Sequence, residues 1–509
     1  MSFSRRKFLT LAGASAAGVT MVSPLEAFYA RVAQGQGARS IGFGALEPKL
    51  PVNAAELTNT VVGDLSQEAI LALPPGFNYR VLSMTGRPMS DGTFVPAGHD
   101  GMAAFSGPGN TTILVRNHEL SGALPPTYNF PVVGSPAYSQ GAPGGTTTLV
   151  VGPNREVQKD FVSLSGTRTN CAGGPTPWGS WITCEETFST TTSNGVSVRH
   201  GYNFEVVADA NSGIVTPVPI KGMGRFSHEA IAVDPKTGYL YETEDRGDSC
   251  FYRFVPNSKI TAPGQLATVG GTLFALKIKN GPQNTTNNLT QGGVPGAIKV
   301  GQTFNVEWVQ IDNADPNSES SSTPITSANI ASGLISVRRQ AQSKGAAIFF
   351  RGEGAWYGNG LIYFVATQSG PSANANLPAP PGNGRGNGQV WAYNPAKETL
   401  TLVVEADSTG ELLDEPDNVT VTPFGDLFLC EDSSDDFQYI VGVNEKGELY
   451  QFAKNVLFSQ VTDDPAKTNF IGNEFAGACF SPDGKTFFVN IQTPGITFAI
   501  WGPWTRKRA

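Results

Sequence analysis

One shape recurs along this chain: a polar entry, a short apolar strand, a tight turn, a second strand and an acidic exit. It is plainest in GRFSHEAIAVDPKTGYLYETEDRGD (224–248), in PDNVTVTPFGDLFLCEDSSD (416–435) and in EFAGACFSPDGKTFFVN (474–490), where DPKTG, PFGD and SPDG supply the turns. A hairpin cannot bury its apolar face alone, so its repeats must stack on one another. Irregularly spaced hairpins with polar exits therefore predict an all-β fold, a β-propeller whose loops gather round a central channel. Weaker units at 146–164, 346–366 and 390–404 raise the expected count to six blades, with seven the alternative. The 59 Gly and 36 Pro are scattered among 30 Phe, 13 Tyr and 7 Trp, which suits many short strands and excludes collagen-like or disordered classes. A closed all-β architecture also allows most of the 509 residues to form one domain.

The N-terminal segment and two internal stretches stand outside the hairpin pattern. Residues 1–33 read as an export signal, with SRRKFL at 4–9 a twin-arginine pattern and a mild Ala/Gly-rich apolar run at 9–22. That run is too short and small-sided for a stable membrane span. The expectation is a protein carried out already folded by the twin-arginine machinery, to the periplasm or beyond. Residues 34–509 form a single propeller domain with insertions near 261–330 and 369–388, which are rich in Asn, Ser, Thr, Gly and Pro. FNVEWVQI (304–311) is an isolated apolar run inside the first insertion, and 331–342 has helical periodicity suited to covering a channel mouth. The formal charge of −8 becomes about −11 once the basic signal segment is gone, which argues against nucleic acid or anionic membrane as a partner.

The chemistry concentrates where the hairpins begin and end. TNCAGGPTPWGSWITCEET (169–187) places Cys171 in a Gly/Pro turn and closes a strand on Glu185 and Glu186. Strand side chains alternate in face, so one of that pair faces inward, and an inward carboxylate requires a metal or a cationic partner. The pleat does not say which one. If the hairpin ends converge, the inward groups are Glu119, Cys171, Glu185 or Glu186, Glu229, Glu242, Glu244, Asp245, Glu353, Glu415, Asp417, Glu431 and Asp432. So many carboxylates cannot share a cavity ionised unless cations offset their repulsion. Four histidines, none in HExxH spacing, make a zinc site a poor fit, and the surplus of carboxylates favours a hard ion bound by oxygen. Five cysteines are odd in number, and Cys171, alone in a loop, is the candidate for a task other than packing. Arg116, Arg225, Arg246, Arg351 and Arg385 lie in the same kinds of segment, and arginine forks beside metals suit phosphate chemistry. No serine has a histidine base by spacing, since Ser227 and His228 are strand neighbours on opposite faces.

These segments resemble the PhoX-type bacterial alkaline phosphatases, from SRRKFL through RNHE (116–119), NCAGGPTPWGSWITCEET (170–187), GRFSHEA (224–230), YETEDRGDSCFYRFVP (241–256), RGEGAWY (351–357), EPDN (415–418), CEDSSD (430–435) and FAGACFSPDG (475–484). The resemblance implies a monomeric, calcium-dependent phosphomonoesterase acting on small phosphorylated metabolites. Its cofactor would be two ferric ions and two or three calcium ions joined by an oxo bridge. Carried onto this chain, it makes Cys171, Glu186, Glu229, Glu244, Glu353 and Asp432 metal ligands, with Glu185, Glu119, Asp417 and Glu431 as further candidates. Arg351 would hold substrate phosphate, assisted by Arg246 and Arg385. Other readings of the same residues are a calcium-dependent propeller phosphodiesterase, phosphotriesterase or lactonase, and an exported calcium- and anion-binding protein without catalysis.

Overall fold

A computed structural model describes residues 42–504 of the chain, apart from 123–127, 194–195, 281–297, 371–385, 408 and 459–468. The export segment 1–33, Arg385 and parts of both expected insertions lie outside the described residues.

Every named strand pairs antiparallel, as hairpin connections require. His99–Ser106, Thr112–His118, Gly144–Val151 and Val157–Thr167 make one four-stranded sheet. Phe475–Phe480, Phe487–Ile491 and Ile496–Trp501 make another with Asn78–Met84, so a strand near the start of the described chain is zipped to the last one. Asn170–Pro175, Ser180–Glu185 and Asn203–Val207 form a three-stranded sheet. Pro416–Val421, Leu427–Glu431, Tyr439–Val443 and Leu449–Asn455 are extended to six strands by Leu71–Leu73 and Glu47–Lys49.

The all-β class holds, but the closed six-bladed propeller does not. The strand Thr303–Gln310 pairs on one side with Gly271–Ile278 and on the other with Thr399–Glu405. It thereby fuses two hairpin sets into one nine-stranded sheet, which curls until its edge strands, His228–Val233 and Gly352–Gly358, lie side by side. The result is a nearly closed nine-stranded barrel beside an open, propeller-like ring of four smaller sheets. The miscount has a physical cause. The apolar run at 304–311 sits in low-complexity sequence and reads as insulated, yet its unpaired N–H and C=O groups find two open sheet edges.

Side chains between the sheets supply the stabilisation. Phe43, Phe77, Phe424, Phe428, Phe452 and Trp504 interlock at ring separations of 4.7 to 6.4 Å, mixing edge and stacked contacts between the six-stranded and C-terminal sheets. Phe77, Phe428 and Phe452 are fully buried, each worth roughly 1.5–3 kcal/mol, while Phe43 and Phe424 are half-buried against them. Among the described residues, no helix is long and apolar enough to cross a membrane.

Candidate metal and phosphate site

Six strands share a departure from regular pairing at their first residues. The register shifts between His99 and Met102, Asn170 and Gly173, His228 and Ile231, Gly352 and Ala355, Pro416 and Val419, and Ala476 and Cys479. In each case two residues face one on the neighbouring strand, which is a β-bulge, and a bulge re-aims the side chain it carries. The first bulged residue is Asp100, Cys171, Glu229, Glu353 and Asp417 in five of the six. The second is small or an amide: Gly101, Ala172, Ala230, Gly354 and Asn418 line a cavity of about 20 Å³. Gly101 shows why the position stays small, since a Cβ there would sit 2.5 Å from the Ala172 Cα.

The bulges bring acids and one thiol together. Ligand atoms lie within 4.8 Å of one another in four groups: Cys171, Glu186 and Glu229; Glu229, Glu353 and Asp417; Asp417, Asp432 and Glu474; and Asp100, Glu119 and Glu474. Glu229, Asp417 and Glu474 each belong to two groups, so the four form one continuous chain of donors. Burial is the largest cause pushing the Glu229, Glu353, Glu186, Asp100 and Glu474 carboxyls well above the ordinary range, and repulsion from neighbouring carboxylates adds to it. Asp417 is pushed up to about 7 by burial and by Asp432, against the pull of Asn418 and Arg351. Burial and the charges of Glu229 and Glu186 also push the Cys171 thiol up. Among the described residues that thiol donates to the carbonyls of His228 and Glu229, at 3.3 and 3.7 Å. Multivalent cations are the partners that would offset such a set.

The adjacent acidic pairs divide by role. Glu185 is fully buried and accepts from His200 Nδ1 at 2.6 Å and from the N–H groups of Arg168 and Gly201 at 3.0 and 2.8 Å. Glu431 accepts from the N–H groups of Asp414 and Tyr439, both at 3.1 Å. These two knit loops together, while Glu186 and Asp432 face the donor groups. Glu244 also lies outside the four groups, taken by the Tyr252 hydroxyl at 2.6 Å and Arg338 Nη1 at 3.1 Å. Glu242 is buried against Asn203 and His228, and Glu415 accepts from Gln368.

Two of the expected arginines stand at the site. Arg351, at φ 53°, grips both oxygens of Asp245 at 2.8 and 3.0 Å and Glu353 Oε1 at 2.9 Å. Arg246 meets Glu319 at 3.4 Å and donates to the Asp245 carbonyl at 2.9 Å. Arg116 is instead fully buried on Thr497 and Thr147, and Arg225 donates to the carbonyls of His200, Ser189 and Pro316 while stacking on Phe188. His228 is stacked on Phe226 with centroids 3.6 Å apart and bonded to the Gly224 carbonyl, which leaves Ser227 without a base. Sequence reasoning missed Asp100 and Glu474. Asp100 sits in HDGM, the same polar, acidic, small order as HEAI at 228–231, and that order was the available signal.

The family of alkaline phosphatase PhoX matches residues 60–495. A solved structure, Pseudomonas fluorescens PhoX in complex with vanadate, a transition state analogue, aligns with 85% of this chain and 96% of its own at 19% identity and a TM-score of 0.58, which shows a common fold. A Bacteroides thetaiotaomicron protein of unknown function aligns at 11% identity over 84% of this chain and 76% of its own, with a TM-score of 0.39. A gluconolactonase of Xanthomonas campestris aligns at 11% identity over 92% of this chain and 99% of its own, with a TM-score of 0.34. No curated protein matches the chain.

Proposed function

Because the chain belongs to the PhoX alkaline phosphatase family, we propose that it hydrolyses phosphate monoesters at a multinuclear centre held by its clustered carboxylates and one thiol. The observation that carries this reading is the sharing of Glu229, Asp417 and Glu474 between neighbouring donor groups, beside Arg246 and Arg351. Shared carboxylates suit adjacent ions.

The donors fit the implied iron and calcium. Glu353, Asp417, Asp432, Glu474, Asp100 and Glu119 offer the all-oxygen surroundings that calcium takes. Cys171, with Glu186 and Glu229, offers the sulfur that calcium declines and ferric iron accepts. Such ions, when bound, supply Lewis-acid polarisation of the phosphoryl group and an activated oxygen nucleophile. The chain's own residues do the positioning. Asp245 locks the Arg351 guanidinium in a two-pronged grip beside Glu353, and Arg246 stands next to it with N–H groups available to equatorial phosphoryl oxygens. Export by the twin-arginine route, action as a monomer in the periplasm or outside the cell, and small phosphorylated metabolites as substrates belong to the same proposal.

The test is turnover of a chromogenic phosphate monoester at alkaline pH by protein purified without added metal, with elemental analysis of the same sample. Turnover abolished by a chelator, with iron and calcium both present, is the expected result. Calcium alone with lactone hydrolysis, or metal binding without turnover, would overturn it.

A further inference from the structure

Arg246 and Arg351 are held side by side, since the Arg351 N–H donates to the Arg246 carbonyl at 3.0 Å. Their surroundings differ. Arg351 is occupied by both oxygens of Asp245 and by Glu353. Arg246 has a side chain 34% exposed and, among the described residues, one carboxylate contact, Glu319 at 3.4 Å, beside its bond to the Asp245 carbonyl, so several of its five N–H groups remain for an incoming anion. Of the pair, Arg246 is the group with donors to offer.

Glu319 does not stand alone. Its other oxygen lies 2.7 Å from Arg338 Nη1, and Arg338 is pinned to Asp248 at 2.8 Å and to the fully buried Glu244 at 3.1 Å. Glu244 is fixed in turn by the Tyr252 hydroxyl at 2.6 Å. A relay of alternating charge, Glu244, Arg338, Glu319 and Arg246, thus runs from a strand end to the neighbour of Arg351, and none of its members belongs to the four donor groups. A guanidinium on a flexible stem is held in one position only by the partners that anchor it, since ordering it costs side-chain entropy. Without Glu319, Arg246 keeps only its bond to the Asp245 carbonyl.

We propose that Glu319 is a positioning residue for substrate phosphate: mounted on Arg338, it holds the Arg246 guanidinium in place beside Arg351, so that Arg246 contacts the phosphoryl oxygens of a monoester dianion. This rests on the phosphatase reading above. The experiment uses metal-replete enzyme and an aryl phosphate, with inorganic phosphate as competing inhibitor, for wild type, Glu319→Gln, Glu319→Asp, Arg246→Gln and the Glu319→Gln/Arg246→Gln double variant. Glu319→Gln is expected to raise KM and the phosphate inhibition constant together by about three- to tenfold, the scale of one charge-assisted hydrogen bond, while kcat moves by about twofold or less. Glu319→Asp recovers part of the loss. In the Arg246→Gln background the Glu319 change adds almost nothing, which a merely structural role would not produce. A fall in kcat at unchanged KM, or an undiminished Glu319 effect without Arg246, overturns the proposal. A wild type that neither turns over the ester nor binds phosphate overturns the phosphatase reading itself, and this proposal with it.

Discussion

The crowding of carboxylates predicts that one substitution changes sign with metal. Asp417 belongs to two donor groups and its pKa is pushed up to about 7 from the ordinary 3.8. A carboxyl whose pKa is raised by folding favours the folded state while protonated. Its contribution is complete below the unfolded value and is lost as pH climbs through about 7. At pH 8 the metal-free protein therefore carries the whole penalty, which at about 1.36 kcal/mol per pH unit comes to about 4 kcal/mol. Asp417→Asn removes the charge, while its amide oxygen can still accept the Asn418 Nδ2 bond that Asp417 accepts at 3.0 Å. With relaxation of the neighbouring acids, the variant should be more stable than wild type by about 2–4 kcal/mol in a chelator. The assay is urea unfolding at pH 8, followed by tryptophan fluorescence. His99, His118 and His228, whose pKa values are lowered chiefly by burial, are neutral there in both folded and unfolded protein and cancel. With calcium and iron restored, the order should reverse, because the substitution deletes a shared ligand. An Asp417→Asn protein less stable than wild type in chelator would refute the idea that uncompensated charge dominates this site.

Three further outcomes are expected. Cys171→Ser should lose iron and phosphatase activity together, read by elemental analysis and ester turnover, because the hydroxyl offers neither the softness nor the charge of a thiolate. Glu185→Gln should lower stability by roughly 2–3 kcal/mol at unchanged metal content, since His200 and three backbone N–H groups lose a charged acceptor, whereas Glu186→Gln should lower metal content instead. Gly477→Ala should destabilise by roughly 1–3 kcal/mol and reduce turnover, because φ is +67° and the new Cβ would lie 2.4 Å from the Asp100 carbonyl oxygen. Thermal unfolding and kinetics of that variant separate the two effects.

The hairpin units were legible in the sequence, and Cys171, Glu229 and Glu353 were singled out there by the unpaired cysteine and the family resemblance; the structure sets all three at bulges inside the donor groups. The closure of the fold was not legible, since the strand Thr303–Gln310 is made by two sheet edges that sequence does not display. The acidic exits were harder still. Read by alternation, Glu185 and Glu186 are equivalent, and Glu244 in ETED looks like any other inward acid. Register removes the ambiguity. His118, Glu185, Glu244 and Glu431 are the residues paired with the strand openings His99, Asn170, His228 and Pro416. Each is buried and spoken for by local hydrogen bonds. The next residue in each case, Glu119, Glu186, Asp245 and Asp432, is the one beyond the pairing: three join the donor groups, and Asp245 grips Arg351 beside them. By that rule Asp245, and not Glu244, occupies the inward position of its unit. The bulges conceal the rule from any two-residue count, because each adds a residue to the inner strand alone and shifts the alternation where the chemistry sits.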